Sequence, residues 1–442
     1  MQRALKSLWT YVAIALLAFY ILLYIFLELP FSLADTRSVD PMRTLLGGLA
    51  TGLITAQALV FTISLVAAQL NARYTHRIVS RVFTWPTGLY MGLFISSSVY
   101  SLVVLAALSS RSADFSIHLP GGLKPIHPVA IALALAGTCL VLLVPYLWSF
   151  KQRLDPERMA LDEGRRARWR LHRGAEVEPG EVAALDNIVM SAFGYKDYDT
   201  FGRGLEELAG VGLEAWRLCP PPMGEAILHR IVHIGVSTID DPRAPFKVID
   251  VLVRTGTILA AQGMQEAARQ AAVSVSEIGE VAADRGQVAV THEVAFSLSA
   301  LGSRSAEQGL VSVAEEVAYS LGCLGEKTSR RGLEDSTRQV AASLRQVGRH
   351  ATENQLDLAT RQAIVSLWCL GGYASRNLSQ CTQVVARELE TMELAAGTEL
   401  VETSYLKAPW SEELEEFHHY YLMEVRQSSD QAEAGLAGAG ED

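Results

Sequence analysis

The chain has 442 residues, half of them hydrophobic and 19% charged, with a net charge of −10. That balance excludes a nucleic-acid binder, whose phosphate contacts need a basic face. Its five cysteines, Cys139, Cys219, Cys323, Cys369 and Cys381, form no CxxC pair and no zinc-like spacing, so neither a disulfide framework nor a structural metal is indicated.

Hydropathy divides the chain. A bilayer core about 30 Å thick needs roughly 20 apolar residues in a helix, the form that satisfies its own backbone in lipid. The runs 8–29, 45–70, 88–108 and 129–150 meet that length, the last three without an Asp, Glu, Lys or Arg and the first with Glu28 alone, next to its end. Ser32, Leu33 and Ala34 look like a cleavage tripeptide, but the first run exceeds a signal peptide's apolar region and three more follow. Four membrane spans within residues 1–150 are therefore expected.

Basic residues set the expected orientation. Arg3 and Lys6 precede span one, and Arg73, Arg77 and Arg81 lie between spans two and three. A series from Lys151 through Arg153, Arg158, Arg165, Arg166, Arg168, Arg170 and Arg173 follows span four. Positive flanks stay cytoplasmic, which predicts a multi-pass protein of the bacterial inner (plasma) membrane with both termini on the cytoplasmic side. The last series sits where anionic lipid heads would meet it. Tyr11, Tyr20, Tyr24, Trp85, Tyr90, Tyr146 and Trp148 fall toward span ends, as an interfacial belt would.

Small and polar residues mark spans two and three. Span two carries Gly48, Thr51, Gly52, Thr55, Ala58, Thr62 and Gln69, and span three carries Gly88, Gly92 and Ser96 at intervals of four. Such stripes allow close helix packing in lipid. The alternative is a hydroxyl-lined path, although the carbonyl or charged rings that give pores selectivity are not displayed in the spans. Pro145, inside span four, removes a backbone donor and predicts a kink.

The segment 55–70, TAQALVFTISLVAAQL, with NARYTHRIVSRVF and GLYMGLFISSSVYSLVVL after it, resembles the bacterial predicted membrane proteins of domain of unknown function 2254. Thr62, Ser64, Gln69, Arg77, Phe83, Gly92, Phe94 and Tyr100 carry the likeness, while Thr75 and His76 stand where the family usually has Ser-Pro. Residues 231–256, with Asp240, Asp241 and Pro242 at a turn between two helices, are similar to a second stretch of that family. The resemblance implies a membrane protein without an established activity.

Residues 151–190 read as a charged helical connector, and 191–425 as an all-helical cytosolic domain. Within it Gly256, Gly279, Gly302, Gly325, Gly348 and Gly371 recur every 23 residues. Ser274, Ser297, Ser320, Ser343 and Ser366 keep step, and Gly286, Gly309 and Gly332 end successive units. Apolar spacing such as Val294, Ala295, Leu298 and Leu301 marks one helical face, so each unit is one helix and a short connection, or two shorter helices. The array, over about 250–380, is expected to stack as a solenoid. Residues 426–442 are small, acidic and aperiodic, which predicts disorder.

Chemistry is thinly represented. His229 and His233 share a helix face near Asp240 and Asp241, but Arg230 stands where a zincin needs Glu. Glu415 with His418 and Glu416 with His419 have di-iron spacing without the matching pair on a partner helix. Phosphate-binding, nucleophile-elbow and dinucleotide motifs do not appear. The expectation is an all-α, non-enzymatic membrane protein without cofactor or metal, which contacts lipid, forms a homo-oligomer and engages a cytosolic protein through its repeats. A channel or transporter regulated by the helical domain is the alternative.

Overall fold

A computed structural model describes residues 2–28, 40–71, 85–110, 128–174, 179–405, 408–409 and 411–423, and every regular element among them is an α-helix. The acidic tail therefore lies outside the described residues, as does Arg77. The chain forms two compact units, Met1–Met159 and Ala160–Asp442.

The first unit holds α1 (Gln2–Glu28), α2 (Asp40–Asn71), α3 (Trp85–Ser110) and α4 (Pro128–Leu154). Three of them are long and apolar enough to cross a membrane, over Arg43–Val66, Tyr90–Ala107 and Pro128–Trp148. In α1 the apolar stretch among the described residues is the shorter Val12–Phe26. Helix α4 touches α1, α2 and α3, with α2 and α3 packed as neighbours. It continues helically through Pro145 to Leu154.

The interior of this unit follows helical spacing. Leu46, Ala50, Leu53, Val60 and Ser64 line the inner side of α2, and Tyr90, Phe94, Ser97, Ser101 and Val104 that of α3. Phe94, Ala132, Ala134 and Cys139 are fully buried, so packed side chains fill the centre. Tyr90 and Tyr146 lie in this core, where their rings stack with centroids 4.4 Å apart. The expected belt therefore loses both, while Tyr20, Tyr24 and Trp148 are exposed. Proximity to a span end did not reveal that each tyrosine has a ring partner on another helix.

The second unit is a stack of helices. After α5 (Pro156–Leu171) come α6 (Pro179–Gly194), α7 (Tyr198–Leu218), α8 (Pro221–Ser237) and α9 (Ala244–Ala261). The regular repeats follow as α10 (Gln265–Asp284), α11 (Val288–Glu307), α12 (Val311–Arg330) and α13 (Glu334–Glu353), each a single helix of 20 residues. The array ends in α14 (Asp357–Asn377), α15 (Ser379–Ala396), α16 (Thr398–Tyr405) and α17 (412–423). From α6 to α16 each helix packs on the next and on the next but one, which makes two layers of alternating helices. Residues 160–174 and 179–194 fall within this unit.

The two glycine series have different causes. Gly286, Gly309 and Gly332 take φ of +69°, +72° and +71°, where a Cβ is penalised. At Gly286 the glycine amide donates to the Ala283 carbonyl and the next amide, Gln287, to that of Ala282, a pairing that satisfies the helix-end carbonyls. The interior glycines instead permit close approach. A methyl at Gly302 would come within 2.7 Å of Val317 Cγ1 and 2.9 Å of Val347 Cγ2, on the next helix and the next but one. Gly325 stands in the same way against Val340 and Leu370, at 3.1 and 2.9 Å.

Polar contacts repeat in the same register. Ser276 donates to the Ser320 carbonyl at 3.4 Å, and one unit later Ser299 donates to that of Ser343 at 3.5 Å. Ion pairs Arg269–Glu316, Lys327–Glu280 and Arg345–Glu388, at 3.1, 2.8 and 2.7 Å, likewise join alternate helices. The far end is closed by aromatic rings. Trp368 is buried beside Tyr405, Phe417 and Tyr421, and the Tyr421 hydroxyl donates to Glu393 at 2.6 Å.

Candidate functional site

The residues singled out in spans two and three share one property. Gly48, Thr51, Gly52, Thr55, Thr62, Gln69, Gly88, Gly92 and Ser96 are all exposed, on the sides of α2 and α3 opposite the inner faces described above. A methyl group on Gly48, Gly52, Gly88 or Gly92 would meet nothing within 4 Å among the described residues. None of these glycines packs against another described residue of the bundle. The hydroxyls of Thr55 and Thr62 donate to the carbonyls of Thr51 and Ala58 in their own helix, both at 2.8 Å. Back-bonding of this kind makes a threonine face tolerable in lipid or against another helix.

Inside the bundle lies a second polar set that the sequence reading missed. Ser64, Ser97, Ser98, Ser101 and Thr138 are buried with Tyr90 and Tyr146. Ser64 and Tyr146 share a hydrogen bond of 3.3 Å. Ser101 and Thr138 donate to carbonyls one turn back, at 2.9 and 2.7 Å. The Tyr90 hydroxyl is buried without a hydrogen-bond partner among the described residues. The inner positions of α3 keep helical spacing, at 90, 94, 97, 101 and 104, but apolar residues on its other sides hide that stripe in the sequence.

In the helical unit, Asp240, Asp241 and Pro242 join α8 to α9. Asp241 accepts the backbone amides of Arg243 and Ala244 at 2.8 and 2.9 Å and the Tyr198 hydroxyl at 2.8 Å. Burial by itself would raise the Asp241 carboxyl, but these hydrogen bonds outweigh it and hold it below the ordinary carboxylate range. Asp240 pairs with Arg285 at 2.8 Å. The turn's polar groups are thus occupied in linking α8 to its neighbours. His229 and His233 are exposed, and the His418 ring stacks on Tyr405 with centroids 3.9 Å apart. Among the described residues, no group of three or more His, Cys, Asp or Glu side chains is placed to hold a metal ion.

The family comparison falls on the apolar bundle and the helix after it. Residues 5–184 match a family described as predicted membrane protein (DUF2254). The match spans the first unit, α5 and the start of α6. It contains the stretch 55–100 that carries the sequence resemblance, and it stops before the likeness at 231–256. No curated protein matches the chain. Among solved structures, a circular tandem repeat protein with novel repeat topology and enhanced subunit contact surfaces is 14% identical, with a TM-score of 0.36 over 91% of this chain and 98% of that one. The architecture given above rests on the contacts of this chain alone.

Proposed function

We propose that this DUF2254-like chain is a non-enzymatic integral protein of the bacterial inner membrane. It associates with further copies through α2 and α3 and presents its helical array to protein partners in the cytosol. The observation that carries the reading is the outward face of Gly48, Gly52, Thr55, Gly88, Gly92 and Ser96, open to close approach and with its threonines internally satisfied. Small residues on an outer face favour association between helices rather than folding of the single bundle. Helix α1 is read as the fourth span, since Leu16, Leu17, Tyr20, Ile21 and Tyr24 are exposed as a lipid-facing side would be. With four spans, the distribution of Lys and Arg puts both termini in the cytosol.

The test is the mass of the protein in nanodiscs. Multiple copies are expected, and Gly52→Leu with Gly92→Leu should reduce them to one. A wild-type chain that is monomeric at every concentration would refute the reading, as would a carboxyl-terminal reporter active outside the cytosol. A channel or transporter is the second reading, favoured by the outward hydroxyl groups of Thr51, Thr55, Thr62 and Ser96. Ion flux in liposomes that is abolished by bulky substitution at Thr55 or Thr62 would favour a path between copies. Absence of flux would leave the scaffold.

A further inference from the structure

Helix α5 has two faces of opposite character. On one, Ala160, Glu163, Gly164, Ala167 and Leu171 are buried. This side reaches α7: a methyl at Gly164 would run into the Glu207 carboxylate, and one at Gly210 would come within 2.7 Å of an Arg168 guanidinium nitrogen. Arg168 pairs with Glu207 at 2.7 Å, with both side chains largely shielded from solvent. Helix α5 is thereby fastened to the first long helix of the array.

The other face is exposed and basic. Asp162, Arg165, Arg166 and Trp169, spaced by three and four, share one stripe with Arg173 in the turn that follows. Trp169 is 54% exposed, and the Arg173 guanidinium lies 3.8 Å from its ring centroid. Three arginines stand on this stripe beside Asp162, with the buried Glu163 carboxylate 3.7 Å from Arg166, on a chain whose net charge is −10. Helix α5 begins at Pro156, just after α4 ends at Leu154, so it is the first helix beyond the apolar run Pro128–Trp148.

We propose that this face binds anionic phospholipid headgroups of the bilayer that holds the spans, with Arg165, Arg166 and Arg173 on the phosphates and Trp169 at headgroup depth. Arginine forks match phosphate oxygens, and tryptophan favours the membrane interface, where its apolar body and polar edge are both accommodated. A negatively charged leaflet attracts basic segments within about one Debye length, which favours a helix that directly follows a span. Because the opposite face is fixed to α7 through Arg168 and Glu207, headgroup capture would also hold the start of the array. The inference rests on the membrane reading above.

The test uses the full chain in nanodiscs of phosphatidylcholine alone or mixed with phosphatidylglycerol, followed by hydrogen exchange over residues 160–173. Exchange should slow several-fold with phosphatidylglycerol, the slowing should be reversed by high salt, and Arg165→Gln, Arg166→Gln and Arg173→Gln together should abolish it. These side chains are exposed or half-buried, and an unchanged thermal melt shows that the triple variant is folded. Equal exchange in both lipids would overturn the proposal, as would protection by a soluble oligonucleotide but not by phosphatidylglycerol. Carbonate washing of the parent membranes separates the premises. Extraction of the chain defeats the membrane reading itself, whereas retention without lipid-dependent exchange defeats only the headgroup site.

Discussion

Gly279 sits so close to Val294 that a methyl group on the glycine would come within 2.5 Å of the valine Cγ1. Gly302 and Val317 repeat the arrangement one unit later. An interior helical glycine costs about 1 kcal/mol relative to alanine, and here the close approach of the next helix offsets that cost. Gly279→Ala should therefore destabilise the array, by about 1–3 kcal/mol, the usual cost of overpacking a filled core. Hydrogen exchange of α10 and α11 in the full chain would measure it. A gain in protection would mean that the valine yields freely and that the glycine has no packing role.

Gln355 occupies the turn position that glycine fills at Gly286, Gly309 and Gly332, and it has φ of +57°. A side chain in the left-handed region is penalised by about 1–2 kcal/mol, partly returned through the lower entropy of the unfolded chain. Gln355→Gly should accordingly slow local opening between α13 and α14, and Gly309→Ala should speed opening at its own turn. Opposite signs for the two variants are the expected result, and equal signs would sink the argument.

Asp241 joins the start of α9 to Tyr198 through its carboxylate. Its folded pKa is lowered, so the unfolded chain takes up this proton at a higher pH than the folded one. The contribution to stability is complete above the unfolded carboxylate value of about 3.9 and fades as the pH falls through the folded value below it. Asp241→Ala should cost about 1 kcal/mol near neutrality, as for a lost helix-start acceptor. The difference from wild type in thermal unfolding should shrink below about pH 4. A difference that grew on acidification would contradict the assignment.

Tyr90 and Tyr146 stack on each other, yet their hydroxyls differ in circumstance. Tyr146 shares a hydrogen bond with Ser64, whereas the Tyr90 hydroxyl has no hydrogen-bond partner among the described residues. Removing an unsatisfied buried group is close to neutral or favourable, but removing one member of a pair strands the other. Tyr90→Phe should therefore leave thermal stability in detergent unchanged or raised, and Tyr146→Phe should lower it by about 1 kcal/mol. The reverse ranking would show that the Tyr90 hydroxyl is engaged.

Some of this architecture was legible in the chain and some was hidden. The interval of 23 residues announced the repeating unit but left it open between one helix and two, and the structure makes each a single helix. Gln355 escaped notice because it breaks the glycine pattern while keeping its backbone geometry. In α3, apolar residues lie on every side, so hydrophobicity could not orient the helix, and adjacent Ser96 and Ser97 fall on outer and inner faces. One residue turns the side chain by about 100°, and only the placement of α2 and α4 decides which serine is inside. The small residues of α2 and α3 were recognisable by type, but the side they occupy was not. The match over 5–184 likewise contains the stronger resemblance and not the one around Asp240, whose capping role any Asp-Pro turn could supply.

Successive units of this array are interchangeable in their contacts: Gly279, Gly302 and Gly325 each meet the helix one unit on, and Ser276 and Ser299 each reach the helix two units on. Excising one whole unit would leave every later helix with equivalent neighbours one and two steps back. Lengthening or shortening in evolution can thus proceed a single unit at a time, up to the aromatic lid built on Trp368.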